Sequence, residues 1–332
     1  MREELRMVPE RTLTKRKAIA EWLKGHDDIA IITQAEDGNT LGSALALMHA
    51  LHNMGKRAFV CNRDEMPGYL RMLPGWESIV TPDDIPFPPK AVIAIDCADE
   101  ARMGTAIGLI KEGMDVAVID HHETNRMAFA PSWVEGEEAA TGVLIQTLLG
   151  EMGAEMTSEI ALCLYAAIST DTGNFSFSNT TPEALCAAAE CLRAGFDLAD
   201  LSFRLFRMKS QGRTRLLGRA LNSIEYLEDG QIALIRLKRS EFAELGATDA
   251  DTEGVVNFGI DTEGVEVAIL AVERAGSTKF SLRSRNRVNV AQAAAALGGG
   301  GHSRAAGVTL QLPMEEAVEQ VLNALVRAVR EP

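Results

Sequence analysis

The sequence predicts an α/β protein: a parallel-sheet domain covered by helices, a helical connector, and a smaller α+β domain. Three observations predict this fold class. At 332 residues, the chain is long for a single domain. Over the first two-thirds, short continuous apolar runs alternate with helical patterns, as in a parallel sheet buried on both faces. Beyond about Leu221 the pattern changes to strand pairs mixed with helices, which is typical of an α+β domain.

The first domain is predicted at residues 1–195. Its strands are the four apolar runs at 28–33, 57–61, 91–96 and 115–120. Helical periodicity predicts helices at 40–54, 102–112, 140–152, 158–169 and 182–194. The polar helical stretch 196–222 contains no strand pattern, so we predict that it connects the two domains.

The second domain is predicted at residues 223–332. Two hairpins are expected at 223–239 and 265–285, because turn residues such as Gly230 and Gly276 interrupt paired strand patterns. The rest is predicted as a helix at 290–297, a glycine-rich turn at 298–301, a strand at 308–312 and a last helix from Met314.

Composition limits the classes of function. The formal net charge of −14 disfavours a protein that coats duplex DNA, since such a protein would be repelled by phosphates. A short phosphorylated substrate remains compatible, because local cations and bound metal can hold it. The five cysteines show no CxxC spacing, and we expect them to be reduced and mostly buried. With no signal-peptide pattern and no membrane-length apolar run, we expect a soluble, cytoplasmic protein.

Aspartates and a histidine pair follow several of the predicted strands. Asp37 lies in the loop after the first strand, Asp96 ends the third, and Asp120-His121-His122 end the fourth, while Asp171 follows a helix. Each of these residues alone is weak evidence, and Asp96 taken singly is equally well explained as a helix cap or a turn residue. Together, at one sheet edge, they would repel one another unless a cation lay among them. Mixed oxygen and nitrogen ligands suit Mn²⁺ or Mg²⁺.

These residues resemble the motifs of the DHH phosphoesterases, a family with a second, DHH-associated domain. The resemblance extends from about Ala18 to Leu325 and is closest to the nanoRNase and pAp phosphatase branch. It implies Mn²⁺-dependent hydrolysis of short oligoribonucleotides and of 3′-phosphoadenosine 5′-phosphate (pAp), with the active site in the cleft between the domains. The matching segments are Leu41-Gly42-Ser43, Asp96, Asp120-His121-His122, Ser169–Phe175, Ser281–Ser284, Gly298–His302 and Ala305–Gly307.

The first motif departs from the family pattern His-x-x-Pro-Asp-x-Asp-x-x-Gly-Ser. Thr33, or Gln34 if the loop is one residue shorter, stands at the histidine position, and Asn39 replaces the second aspartate. Asp37 is retained. Glu36 is a candidate substitute ligand. The motif is therefore degenerate.

The resemblance implies two metal sites. One would use Asp37 and Asp96 without the missing histidine. The other would use Asp96, His121 and Asp171, with Asn39 offering a neutral carbonyl oxygen. We therefore expect one or two ions, with activity reduced by the altered motif.

Substrate binding is assigned to both domains. Gly42 and Ser43, which open a helix, are either phosphate-binding or ordinary packing residues. In the second domain the resemblance implies that Arg283, Ser284, Gly300, Gly301 and His302 contact the substrate. In the first, His122 is expected to contact the scissile phosphate or its leaving group, and Asp120 to orient His121; with Asp37, these are the predicted catalytic residues.

Three alternatives to this function are left open. The chain is a weakened relative that binds nucleotides or a partner, a phosphodiesterase of cyclic or linear dinucleotides, or a pyrophosphatase. The expected partner is a short RNA or nucleotide, with no membrane, and a homodimer is left open.

Overall fold

The computed structural model describes residues 10–33, 37–62 and 66–330. Gln34 and Glu36, both weighed above as substitute ligands, lie outside this part of the chain. The chain divides into two compact units between Met208 and Lys209, within the stretch that we predicted as a connector. No helix in the described ranges is long and apolar enough to cross a membrane.

The first unit contains a five-stranded sheet in which every strand pair is parallel. Its order is β2-β1-β3-β4-β5, so the strand order reverses between β1 and β3. In such sheets, ligands bind beyond the carboxyl ends of the strands at this reversal. The strands are β1 Ile29–Ile32, β2 Ala58–Cys61, β3 Ala91–Ile95, β4 Asp115–Asp120 and β5 Ser132–Val134.

Alternate side chains of each strand enter different cores. Ile29 and Ile31 pack on one face of the sheet, and Ala30 and Ile32 on the other. This two-sided burial explains the continuous apolar runs and confirms the predicted fold class. The edge strand β5, with only three residues, has too short a pattern to be recognised in the sequence.

Helices of the first unit largely follow the prediction. They are α1 Glu10–Gly25, α2 Gly38–Asn53, α3 Thr141–Met152, α4 Ser158–Asp171, α5 Pro182–Arg193 and α6 Leu198–Ser202, followed by a π-helix at Phe203–Arg207. The helix predicted at 102–112 is wrong in type: a 3₁₀ segment spans Glu100–Leu109, with Gly104 at a left-handed φ of 55°. Helix α1 was not predicted, because few of its residues are buried. Shorter 3₁₀ turns lie at Gly68–Leu70 and Trp76–Ser78.

The second unit contains a six-stranded mixed sheet, which confirms the predicted α+β class. Its order is β10-β11-β9-β8-β7-β6, and only the β7–β8 pair is parallel. The strands are β6 Glu225–Leu227, β7 Ile232–Leu237, β8 Val267–Arg274, β9 Ser277–Ser284, β10 Gly300–His302 and β11 Ala305–Leu310. The helices are α7 Gln211–Asn222, α8 Arg239–Leu245, α9 Val255–Ile260, α10 Val290–Ala296 and α11 Met314–Arg330.

Both predicted hairpins are confirmed, with positive φ at Gly230 and Gly276 in their turns. The glycine run was expected to be a turn. Instead, Gly300 and Gly301 form the edge strand β10 with His302. Helices α8 and α9, which were not predicted, lie in the crossover that the parallel β7–β8 connection requires. Four of the five cysteines are buried, all are free thiols, and Cys186 is exposed.

Candidate functional site

Asp96 occupies the centre of the candidate site. It follows β3 directly, has a left-handed φ of 56°, and its side chain is almost fully buried. Its Oδ1 accepts hydrogen bonds from the Asn39 amide at 3.1 Å and the Thr141 hydroxyl at 2.8 Å, and its Oδ2 accepts one from the Thr40 hydroxyl at 2.5 Å. Burial raises the pKa of this carboxyl, although nearby His121 opposes the shift.

Asp37 begins helix α2 as its N-cap. Its Oδ1 accepts the Thr40 backbone N–H at 2.8 Å, and its Oδ2 lies 3.1 Å from the Thr40 hydroxyl. The Thr40 side chain therefore lies between the carboxylates of Asp37 and Asp96. Thr33, one of the two residues considered for the missing histidine, is fully buried at the end of β1, where its backbone N–H donates to the Cys61 carbonyl.

His121 presents a nitrogen lone pair to two carboxylates. Its Nδ1 lies 3.1 Å from the Glu138 carbonyl oxygen, which can only accept, so in the neutral ring Nδ1 carries the hydrogen. Nε2 is then unprotonated. It lies 3.3 Å from Oδ2 of Asp171 and 3.5 Å from Oδ1 of Asp96. Nε2 at these distances from two carboxylate oxygens calls for a positive charge, which is either a proton on the ring or a metal ion held between the three atoms.

Asp171, at the end of α4, completes this set. Its Oδ2 is buried and has no hydrogen-bond partner among the residues that the structure describes. Burial raises its pKa to about 6; His121 counteracts this, and the carboxylates of Asp96 and Asp37 add to it. The site thus offers one oxygen each from Asp96 and Asp171 and one nitrogen from His121. This set of ligand atoms fits a Mn²⁺ or Mg²⁺ ion.

Asn39 was predicted to offer its carbonyl oxygen to a metal, and its observed conformation differs. Its Oδ1 accepts the Gly142 backbone N–H at 3.2 Å, while its Nδ2 lies 3.1 Å from Asp96 Oδ1 and 3.4 Å from His121 Nε2. The hydrogen-bond partners require this orientation, since Gly142 N–H needs an acceptor and Asp96 needs a donor. In this conformation Asn39 hydrogen-bonds the candidate ligands and is not itself one.

Asp120 and His122 form a separate, tightly coupled pair. Oδ1 of the fully buried Asp120 lies 2.7 Å from His122 Nδ1 and also accepts the backbone N–H groups of His121 and His122, while Oδ2 accepts from Asn125 at 2.7 Å. Burial alone would raise the pKa of Asp120, but these hydrogen bonds outweigh it and lower that pKa. The hydrogen bond to Asp120 raises the pKa of His122, against the opposing effect of burial.

This pairing corrects one expectation. Asp120 orients the side chain of His122, whereas the Glu138 carbonyl orients that of His121. His122 Nδ1 lies 3.8 Å from Asp96 Oδ1, and the candidate ligand atoms of Asp96, His121 and His122 all lie within 4.8 Å of one another. Asn125 and Glu138 were not predicted as site residues. The sequence signal for Asn125 is its position three residues after the Asp-His-His motif, and Glu138 acts through its backbone, which carries no residue-type signal.

Gly42 and Ser43 were expected to open a helix. The structure corrects this, because α2 begins at Gly38 and both residues lie inside it. A Cβ on Gly42 would lie 2.5 Å from the Cys163 carbonyl of α4. Ser43 is fully buried, and its Oγ has no hydrogen-bond partner in the described part of the chain. This geometry favours the packing interpretation.

In the second unit, two of the predicted substrate residues share a face of the sheet. His302 pairs with Ala305, and Ala305 pairs with Arg283, across three adjacent antiparallel strands. Directly opposed residues project to the same side of a sheet. The next residues of β9 on this side are Ser281, which is half-buried, and Lys279, which is exposed. This part of the face is therefore open and carries cationic side chains.

The other predicted substrate residues differ in exposure. Ser284 is buried and its hydroxyl donates to the Ser303 carbonyl at 3.3 Å, so its side chain holds the loop together. Gly301 has a left-handed φ of 144°, and a Cβ there would lie 2.5 Å from the Ala305 carbonyl. Gly300 is exposed, and a Cβ on it would meet nothing within 4 Å. Gly300 and Gly301 are therefore both exposed, but of these two only Gly300 has room for an added side chain.

Two family models match separate parts of the chain. The model of the DHH family, N-terminal domain, matches residues 28–168, and that of the DHHA1 domain matches residues 230–331. The "Bifunctional oligoribonuclease and PAP phosphatase NrnA" of Thermus thermophilus is 36% identical over 314 residues, which cover 94% of this chain and 93% of that protein.

Two solved structures share the fold. An exopolyphosphatase-related protein from Bacteroides fragilis is 26% identical, with a TM-score of 0.84 and coverage of 96% of this chain and 97% of its own. RecJ from Thermus thermophilus, in complex with Mn²⁺, has a TM-score of 0.53 and is 16% identical. The match covers 99% of this chain and 56% of the RecJ chain, and at this identity it indicates the fold alone. Because the NrnA relative is more than one-third identical over nearly its whole length, this chain belongs to the DHH family.

Proposed function

We propose that this protein is a metal-dependent phosphoesterase that hydrolyses short oligoribonucleotides, pAp, or both. One observation carries the proposal. Nε2 of His121 lies 3.5 Å from Asp96 Oδ1 and 3.3 Å from Asp171 Oδ2, and within the described residues that Asp171 oxygen is buried without a hydrogen-bond partner. This set is suited to a divalent cation, with Mn²⁺ preferred and Mg²⁺ as the alternative.

A bound metal ion would supply the same chemistry here as in other hydrolytic metal sites. A divalent ion held by Asp96, His121 and Asp171 would neutralise phosphate oxygens and make water a stronger nucleophile. The Glu138 carbonyl fixes the ring of His121, so that Nε2 stays directed toward the two carboxylates. Asp37 caps α2 and holds Thr40 beside Asp96.

His122 is suited to proton transfer. Its Nδ1 is held by the ionised Asp120, which raises the pKa of the ring and leaves Nε2 as the other donor. A protonated Nε2 would bind the scissile phosphate or donate a proton to the leaving oxygen, as a general acid does. Asp120 acts here as the positioning residue, because it contacts His122 and is itself fully buried.

The substrate class rests on two supports. Arg283 and His302 project from one open face of the second sheet, where they can contact phosphate, and Gly300 leaves room for a ligand beside the backbone. The relative from Thermus thermophilus is named as an oligoribonuclease and PAP phosphatase. That the two units form the site across a cleft, and that the protein acts in the cytoplasm, remain our predictions.

The testing experiment is an activity panel with purified protein and Mn²⁺. The substrates are pAp, a linear dinucleotide, a cyclic dinucleotide, a five-residue RNA and inorganic pyrophosphate. We expect turnover of pAp or RNA that is lost in His121→Ala and kept in His52→Ala, a matched control at an exposed histidine of the same unit. Turnover that persists in His121→Ala would contradict the proposal.

A second candidate function is that of a weakened relative that binds nucleotides without efficient turnover. The conformation of Asn39 favours it, because an amide nitrogen faces Asp96 and His121 where a carboxylate would assist metal binding. Saturable pAp binding with no turnover in the same panel would support this candidate.

A further inference from the structure

We infer that Thr40 limits this centre to one divalent ion per chain. The inference rests on the proposed metal site and concerns the side of Asp96 that faces away from His121. The Thr40 hydroxyl lies between Asp37 and Asp96, where a second ion would need to bind both carboxylates.

The two oxygens of Asp96 face different surroundings. Oδ1 lies 3.5 Å from His121 Nε2, on the side of the lone pair and the Asp171 carboxylate. Oδ2 lies 2.5 Å from the Thr40 hydroxyl, which is also 3.1 Å from Asp37 Oδ2. A small divalent ion that bridged Asp37 and Asp96 would need its ligands at about 2.0–2.6 Å, the range for Mg²⁺ and Ca²⁺ oxygen ligands. The position between these carboxylates already holds an oxygen atom of the protein.

The Thr40 side chain cannot easily leave this position. Its residue is fully buried, and its backbone N–H donates to Asp37 Oδ1 in the first turn of α2. A threonine in a helix has few favourable χ1 rotamers because its Cβ is branched. Rotation that removed the hydroxyl would also break its short hydrogen bond to the buried Asp96 carboxylate and its contact with the exposed Asp37. These contacts therefore keep the hydroxyl at the position that an ion bridging Asp37 and Asp96 would take.

Thr141 provides a matched comparison. It is also fully buried at the start of a helix, and its hydroxyl also donates to Asp96, at 2.8 Å. Its bond reaches Oδ1, on the other side of the carboxylate from Thr40. Removal of the Thr141 hydroxyl therefore leaves the position between Asp37 and Asp96 filled.

The experiment counts Mn²⁺ bound to the full-length, initially metal-free chain. Wild type, Thr40→Ala, Thr40→Ser and Thr141→Ala are dialysed against rising Mn²⁺, and bound manganese is measured by elemental analysis. Electron paramagnetic resonance then distinguishes an isolated Mn²⁺ ion from a magnetically coupled pair. We expect one isolated ion in wild type and Thr40→Ser, no more than one in Thr141→Ala, and a second, weaker, coupled ion in Thr40→Ala.

Two coupled ions in the wild type at saturation would overturn the inference, as would a wild type that binds no manganese or a folded Thr40→Ala that stops at one ion. The wild-type count stands even if Thr40→Ala fails to fold. Assay of pAp hydrolysis on the same samples separates the two proposals. One bound ion without turnover would support the inference about Thr40 and contradict the proposed function. Two bound ions with turnover would support the proposed function and contradict the inference about Thr40.

Discussion

Nε2 of His121 lies 3.3 Å from Oδ2 of Asp171, and in residues 10–33, 37–62 and 66–330 that buried carboxylate oxygen has no hydrogen-bond partner. The orientation of the His121 ring is fixed by Glu138, 17 residues further along the chain. The Glu138 carbonyl accepts a hydrogen bond from Nδ1, so Nε2 is the nitrogen that faces the carboxylates. Buried polar atoms without partners are costly, so the protein maintains this arrangement at the expense of stability. Such a cost is expected of a site that is completed by a ligand.

The stability of the metal-free protein should fall as the pH rises from about 4 to about 6. The pKa of Asp171 is about 6 in the folded chain, against about 3.9 in an unfolded one. The favourable contribution of the protonated carboxyl is complete below the unfolded pKa and is lost as the pH rises through 6. Urea unfolding in EDTA should show this decrease in the wild type and a smaller one in Asp171→Asn. Equal pH dependence in the two proteins would refute this assignment.

Asp120→Asn should lower kcat by roughly 10²–10⁴-fold, the range of general acid–base catalysis. It should also move the alkaline limb of the pH–rate profile to lower pH, because the Asp120 carboxylate raises the pKa of His122 and an amide does not. The control is Asp115→Asn at the start of the same strand, where an exposed aspartate pairs with His26 at 3.0 Å. A purely structural role for Asp120 would reduce the rate without moving the limb.

Asn39→Asp should bind Mn²⁺ about tenfold more tightly, equivalent to ~1.4 kcal/mol, because a carboxylate would face Asp96 and His121 in place of an amide nitrogen. The new side chain can still accept the Gly142 N–H, so the local fold should be kept. Combining it with Gln34→His, or Thr33→His, should further raise Mn²⁺-dependent pAp hydrolysis. Titration calorimetry measures the affinity, with Asn53→Asp at the other end of α2 as a control for added charge. If both variants bind Mn²⁺ equally, position 39 does not face the ion.

Gly42→Ala should destabilise the protein by roughly 1–3 kcal/mol, the usual range for overpacking. The added Cβ would lie 2.5 Å from the Cys163 backbone carbonyl, which cannot move aside without shifting α4. Gly150→Ala, at an exposed helical position with nothing within 4 Å, should instead be neutral or stabilising by up to about 1 kcal/mol. Chemical denaturation compares the two. Similar stabilities would mean that Gly42 is not a packing residue.

Gly300→Ala and Gly301→Ala should have different effects. The first adds a methyl group to an open position and should raise KM for pAp with little change in stability. The second forces a left-handed φ of 144° on a residue with a Cβ and should cost about 1–3 kcal/mol of stability. An unchanged KM in a folded Gly300→Ala would remove this glycine from the substrate site.

Much of the fold could be predicted from the sequence because the relevant signals are local. Strand β4 is predicted by its continuous apolar run, and this pattern also predicts that both of its faces are buried. The hairpin turns at Gly230 and Gly276 are set by neighbouring residues. The positions of Asp96 and His121 at one sheet edge follow from parallel topology. Asp171 lies at the end of α4, so its position depends on helix packing as well.

The side-chain arrangement of the site could not be predicted in the same way. The direction of the Asn39 amide depends on the backbone N–H of Gly142, which is distant in sequence. The tautomer of His121 depends on the backbone carbonyl of Glu138, which any residue type at that position would supply. The Thr40 hydroxyl lies between Asp37 and Asp96 because of its side-chain rotamer, and Thr40 is not part of a motif that would indicate this. Residue types and spacing determine which groups meet, whereas tertiary hydrogen bonds determine which atoms face one another.

The most direct test is the Mn²⁺ affinity of the wild type beside His121→Gln and Asp171→Asn, measured on metal-free protein by titration calorimetry. Each substitution should weaken binding by at least about 100-fold, since loss of an outer partner alone costs roughly 10–100-fold. Folded variants that bind Mn²⁺ as tightly as the wild type would contradict a metal centre formed by Asp96, His121 and Asp171.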